Sequence, residues 1–148
     1  MPLTTLFLAS STAAKTQAKQ VVQSLSSPTL QFLPWWDAFT PGRTLLEDLD
    51  DIKTRVAGAL VVMTPEHEAI VRKDKKDIPN LNVLLEFGYF VGAFGRDRVA
   101  MLKYGDFYLP SDLGGYIHIH GSSGFRRNRA QVIGKRTTEE FTRWIQAL

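Results

Sequence analysis

Leu3-Thr4-Thr5-Leu6-Phe7-Leu8-Ala9 runs into Ser10-Ser11-Thr12, and then Ala14, Ala18, Val21, Val22 and Leu25 recur at spacings of three and four. The first segment is a short apolar run stopped by hydroxyl residues, which reads as a buried strand. The second is the stripe of an amphipathic helix. Ser11 or Thr12 is placed to cap that helix, and Pro28 lies beyond its far end. A strand followed directly by a helix is the unit of an α/β fold, and the rest of the chain repeats it.

Strand two is expected near Leu30–Trp35. Pro41-Gly42 then has Pro and Gly where a type II turn needs them. Thr44-Leu45-Leu46-Glu47 has the spacing of a capping box, and Leu45, Leu49, Ile52 and Val56 stripe the helix it opens. Ala59–Met63 reads as strand three. A polar stretch, Glu66–Asn80, leads to a helix at about Asn82–Phe94. Strands four and five are expected at Arg98–Tyr104 and Tyr116–His120. Thr137-Thr138-Glu139-Glu140 offers a second capping box, and Phe141, Trp144, Ile145 and Leu148 face a closing helix.

Strands alternating with helices imply right-handed crossovers and a parallel sheet covered on both faces. The expected fold is therefore flavodoxin-like α/β in three layers, with about five mainly parallel strands. Ligands in such sheets lie over the carboxyl ends of the strands, where the strand order reverses. That directs attention to Ser10–Lys15, Trp35–Arg43, Thr64–Asn82 and Tyr104–Gly115.

The 148 residues fit one domain, spanning 1–148, that can bury a core without metals or disulfides. An end inside a helix, at Leu148, suggests a piece of a longer natural chain. The apolar fraction of 44% excludes a disordered chain, and the lack of cysteine excludes disulfides, thiolate metal sites and a thiol nucleophile. Met1–Thr5 has no basic flank or long apolar stretch, so no signal peptide is expected. No run approaches the roughly 20 apolar residues that span a bilayer. The expected location is the cytoplasm, with no membrane partner. The net charge of +3 sits mainly in Arg72–Lys76 and Arg126–Arg136. No aromatics interleave these runs as single-strand binding would want, so solvated loops explain them and no nucleic-acid partner is expected.

Among the strand-end residues, Glu86 stands out. It is the sole ionisable carboxylate in Leu81–Phe94, a helix apolar nearly all round and therefore expected to be buried. A buried carboxylate needs partners or a raised pKa. Gly88 and Gly92 weaken this helix by about 1 kcal/mol each relative to Ala, which makes sense if another backbone packs there. Asn82 lies one turn ahead of Glu86 on the same face. The alternative is that Glu86 occupies an exposed strip, with Asn82 as a cap. Trp35-Trp36-Asp37 ends strand two, where an indole can stack on a base and a carboxylate can accept from ribose hydroxyls. Equally, one Trp is core, the other covers it, and Asp37 is a turn residue. Ser10–Lys15 presents hydroxyls and free N–H groups at a helix start, an anion site or ordinary capping. His118 and His120 share a strand face and read as half-buried residues, not as a metal pair. Phe39 falls in a loop expected to be exposed.

Phe7–Ser11, Trp36–Leu46, Val61–Pro65, Asn82–Gly92 and Leu109–Gly114, in that order, resemble the prokaryotic TIR-like domain family over nearly the whole chain. Asn82-Val83-Leu84-Leu85-Glu86-Phe87-Gly88-Tyr89-Phe90-Val91-Gly92 is the most specific part. Members of that family are fused to STING or other cyclic-nucleotide sensors and destroy NAD⁺ as anti-phage effectors. The resemblance implies that Glu86 is the catalytic glutamate of an NAD⁺ glycohydrolase. It implies that Ala38–Leu45 is the mobile loop that gates the pocket and makes assembly contacts. It further implies that Ser10, Ser11, Trp36, Asp37 and Phe39 line the nucleotide pocket, while the helix spacing of Asn82 and Glu86 lets both meet one ligand. NAD⁺ is then the substrate, with no cofactor or metal, and the implied partners are a cyclic-nucleotide sensor in cis and further copies in head-to-tail, filament-like arrays. Many eukaryotic TIR NADases carry Trp where Asn82 stands, whereas the prokaryotic group has Asn.

Related folds are separated by their sites. A response-regulator receiver needs Asp at the end of strand three and acids after strand one; Met63-Thr64 and Ser10-Ser11 stand there. A flavodoxin would want a glycine-containing phosphate loop where Ala13-Ala14 stands. A nucleoside deoxyribosyltransferase-like enzyme and a non-catalytic TIR scaffold both remain open.

Overall fold

β1 (Thr4–Ala9), β3 (Gly58–Met63) and β6 (Val99–Lys103) form the middle of a parallel sheet, with β2 (Leu30–Pro34) and β7 (Ile117–His120) at its edges. The computed structural model describes residues 2–121, 125, 126, 129 and 132–148. The strand order is β2-β1-β3-β6-β7, all pairings parallel. The order reverses between β1 and β3, so the chain has the flavodoxin-like arrangement that its alternating periods imply.

All six residues of β3 are buried, as a strand covered on both faces requires. Alternation then assigns side chains to two cores. Leu6, Leu8, Leu60, Val62, Ala100 and Leu102 face α1 (Lys15–Leu25) and α5 (Lys135–Gln146), where Ala18, Val21, Phe141 and Trp144 meet them. Phe7, Ala9, Val61, Met63 and Met101 face α3 (Leu45–Ile52) and α4 (Leu81–Phe94), through Leu49, Ile52, Val83, Phe87 and Phe90. Each fully buried Val, Leu, Ile, Phe or Met side chain among these contributes about 1.5–3 kcal/mol. Gly58 has a separate reason to be glycine, because a Cβ there would run into the backbone carbonyl of Arg98.

The turn at Pro41-Gly42 forms: Gly42 has φ +84° and the Arg43 N–H donates to Thr40 O at 3.3 Å. Thr44 Oγ1 accepts from the Glu47 N–H and donates to Glu47 Oε1, so the capping box at α3 holds in a modified form. Ser11 Oγ accepts from the Ala14 N–H and caps the turn leading into α1.

Five expectations need correction. Strand two stops at Pro34, and Trp35–Ala38 forms a single helical turn, α2. α3 ends at Ile52, although Val56 is still buried. The polar stretch after β3 contains an antiparallel hairpin, β4 (His67–Val71) and β5 (Asp74–Ile78), turning through Arg72 and Lys73 at φ +51° and +72°. Two residues at positive φ make the turn a tight hairpin connection, normally filled by Asn-Gly, so Arg-Lys hid it. α5 begins at Lys135, and the second capping box does not form. The buried Thr137 hydroxyl donates to His120 O, while Glu140 accepts from the His120 N–H. Finally, α4 is not apolar and buried all round. Leu81 and Leu85 are 64% and 51% exposed, and a Cβ on Gly88 or Gly92 would meet nothing within 4 Å among the described residues.

Arg126 and Arg129 are exposed, while Arg127 and Asn128 of the expected solvated loop lie outside the described residues. No helix among the described residues is long and apolar enough to cross a membrane.

Candidate active site

β1 and β3 end side by side at the reversal of strand order, and the segments leaving them frame a cavity of about 290 Å³. Ser10, Ser11 and Thr12 come from the end of β1, Trp35 and Phe39 from α2 and its exit, and Leu45 from the start of α3. Asn80, Asn82, Val83 and Glu86 come from the first turns of α4. Asn80 Oδ1 accepts from the N–H groups of Asn82 and Val83, so Asn80, not Asn82, is the cap. That cap fixes where α4 starts and therefore which face carries Glu86 into the cleft.

Glu86 is 4% exposed, and its Oε2 has no hydrogen-bond partner among the described residues. Burial pushes its carboxyl up to about 8. A carboxylate held out of water with an unused oxygen disfavours its own charge, and an arriving positive charge would relieve that. Trp35, Ser10 and Ser11 beside it are engaged. Trp35 Nε1–H donates to Ser10 Oγ at 2.7 Å, and Ser10 Oγ donates to Ser11 O at 2.9 Å. Ser11 Oγ donates to Glu66 Oε2 at 2.5 Å, and Thr64 Oγ1 donates to the same oxygen at 3.2 Å.

Of the residues singled out from the sequence, Ser10, Ser11, Phe39, Asn82 and Glu86 meet at one cavity. Trp36 and Asp37 do not line it. Trp36 packs toward the α1 side of the sheet with Lys15 Nζ 5.2 Å from its ring, and Asp37 is exposed. The cause is the early stop of β2 at Pro34, which puts Trp35 in the cleft in their place. Phe39 is half-buried, its ring 6.0 Å from Phe7 and 6.3 Å from Trp35, so it walls the cleft and is less exposed than its loop position implies. Glu66 was missed, although it follows β3 directly in a segment marked for search.

A larger hollow of about 750 Å³ lies at the far edge of the sheet, beside Lys103, His118, His120, Lys135 and Arg136. None of the ionisable residues described along it is buried, and Glu140 pairs with both His120 and Arg136. His118 Nε2 lies 3.2 Å from Leu113 O. Size favours that hollow; chemistry favours the cleft at Glu86, because a desolvated acid at a strand-order reversal is the rarer feature.

A doubly wound sheet with these helices and this cleft is the architecture of a TIR domain. The model of the TIR domain of CAP12/Pycsar effector proteins matches residues 5–123, from β1 through β7, and the chain belongs to that family. Protein tirC of Dictyostelium discoideum is 36% identical over 91 residues, 53% of this chain and 45% of its own length. CD-NTase-associated protein 12 of Sphingobacterium faecium is 31% identical over 111 residues, 74% of this chain and 34% of its own. Pycsar effector protein PaPycTIR of Pseudomonas aeruginosa is 29% identical over 129 residues, 85% and 41% respectively. The chain spans less than half the length of these relatives.

Proposed function

We propose that this domain is an NAD⁺ glycohydrolase, the effector part of an anti-phage system, and that Glu86 is its catalytic carboxylate. The observation that supports this most is the desolvated Glu86 with a free oxygen in a cleft at the strand-order reversal. Family membership supports the effector role.

The chemistry asks for one carboxylate. The bond between C1′ of the ribose and the pyridinium nitrogen breaks, its electron pair goes to nitrogen, and neutral nicotinamide leaves. The ribose is left with oxocarbenium character, which an ionised Glu86 stabilises. Water then adds to C1′ and loses a proton, giving ADP-ribose; attack by a group of the same molecule would give a cyclised product. In the free cleft Glu86 holds its proton at neutral pH, since its carboxyl titrates at about 8. The pyridinium charge of NAD⁺ favours the ionised form, so binding expels that proton and arms the carboxylate. Ser10 and Ser11, fixed by Trp35 and Glu66, form the floor beside the ribose, and Asn82 stands at the mouth of the cleft.

Activation fits assembly. By this proposal a cyclic-nucleotide sensor carried in cis clusters the domains head to tail, and clustering selects the loop arrangement that completes the cleft. The test is chromatography of NAD⁺ incubated with clustered protein, with deoxynucleosides as a second substrate arm. Nicotinamide release supports the proposal, base release from deoxynucleosides alone would move the activity to deoxyribosyl transfer, and no turnover would leave a scaffold.

A further inference from the structure

Asp48 is a second buried carboxylate that the chemistry above does not use, at 4% exposure in the first turns of α3. A buried carboxylate costs free energy unless donors hold it. Its donors come from one place. The Thr40 N–H reaches Asp48 Oδ2 at 3.2 Å, and Arg43 Nε lies 3.7 Å from Asp48 Oδ1. Both belong to the loop between α2 and α3. The turn at Pro41-Gly42, closed by the Arg43 N–H to Thr40 O, brings these two donors to the same side. Arg43 also reaches Glu47 and Asp51, but those acids are more than half exposed at the side chain, so Asp48 is the buried end of the pairing.

The residue ahead of Thr40 is Phe39, whose ring packs on Phe7 and Trp35 and walls the cavity at Glu86. Moving the loop away would strip Asp48 of both donors, so the burial of Asp48 and the placement of Phe39 are one arrangement. We infer that Asp48 is a positioning residue for the cleft, acting through Thr40 and Arg43 to hold Phe39 where a bound dinucleotide would touch it. The inference rests on the proposed activity for its substrate. Phe39 offers an apolar surface and touches no reacting atom, so its placement governs binding and not the bond-breaking step.

The experiment compares wild type, Asp48→Asn and Asp48→Ala in the whole chain, clustered identically. Two quantities are read: NAD⁺ kinetics, and the rate of tryptic cleavage after Arg43. Asp48→Ala is expected to raise KM about tenfold or more with kcat within about threefold, the pattern of lost uniform binding. Asp48→Asn keeps an acceptor for Thr40 and loses the charge facing Arg43, so its KM falls between. Cleavage after Arg43 should quicken in the same order. Should Asp48→Ala fail to fold, Asp48→Asn decides by the same two readings. Unchanged KM, or a fall in kcat at constant KM, would overturn the inference. If wild type turns over no NAD⁺, the proposed activity fails separately, and cleavage after Arg43 at the wild-type rate in both variants would still overturn the role given to Asp48.

Discussion

The indole N–H of Trp35 donates to Ser10 Oγ across 2.7 Å, tying the turn after β2 to the end of β1 on one side of the Glu86 cleft. Trp36, its neighbour, points its ring toward the other face of the sheet, at 82° to that of Trp35. Position in the chain by one residue therefore decides which tryptophan can meet a ligand.

Trp35→Phe keeps the ring and removes the donor. It should reduce kcat/KM for NAD⁺ about tenfold, equivalent to about 1.4 kcal/mol, because Ser10 loses its partner. Asp37→Ala, exposed and away from the cleft, should leave turnover within about twofold. Steady-state kinetics on both variants checks the pair, and a larger loss in Asp37→Ala than in Trp35→Phe would refute the placement.

Glu86 also makes stability depend on pH. Its carboxyl is raised by burial from 4.5 to about 8, so the folded state binds a proton that the unfolded state releases. The stabilisation is complete below about pH 4.5 and is lost as pH rises toward about 8. Glu86→Gln lacks this loss. Its melting temperature should exceed that of wild type by a margin that widens over that window, reflecting on the order of a few kcal/mol at the alkaline end. Parallel melting curves of the two proteins across the window would show that Glu86 is not desolvated.

Activity should follow the opposite sense. If the ionised carboxylate is the working form, as the proposed mechanism requires, kcat/KM should rise with pH through an apparent pKa of about 8. kcat, which reports the NAD⁺ complex, should level off at lower pH because the pyridinium charge has already favoured ionisation. A pH–rate profile in clustered protein measures both, and a kcat/KM that falls toward alkaline pH would contradict the assignment.

Phe39→Ala should raise KM for NAD⁺ about tenfold, with kcat within about threefold, in dispersed and clustered protein alike, since the ring is part of the cleft and touches no reacting atom. Clustering of wild type should raise specific activity steeply with local concentration. Light scattering paired with activity checks this, and constant specific activity in a persistent monomer would mean an always-on enzyme.

Gly58→Ala tests the fold apart from the site. The added methyl meets the Arg98 carbonyl where β3 passes β6, a clash of backbone and not of a flexible side chain. It should cost roughly 1–3 kcal/mol in denaturant unfolding, as overpacking does.

What the sequence disclosed follows from period and cap. β1, β3 and β6 are continuous apolar runs, α1 and α3 carry stripes, and Glu86 is the lone carboxylate of an apolar helix, so the order of layers and the position of Glu86 were legible. The end of β2 was not, because Leu33-Pro34-Trp35-Trp36 stays apolar through the change from strand to helix. The hairpin β4–β5 was hidden for a different reason: it is mostly exposed, so it has no apolar alternation to betray it. Asp48 looked like any acid in the first turn of a helix, since its burial comes from a loop that folds back on it. Ser11 and Glu66 are far apart in the chain and meet where β1 and β3 end together, a contact of topology and not of pattern.

The central claim is that Glu86 cleaves the nicotinamide–ribose bond. Its most direct test is the time course of nicotinamide release from NAD⁺, by chromatography, in clustered wild type and clustered Glu86→Gln, the variant melting no lower than wild type. The account predicts accumulating nicotinamide and ADP-ribose, linear or cyclised, in wild type and none above background in Glu86→Gln. A substantial fraction of wild-type release in Glu86→Gln would contradict it.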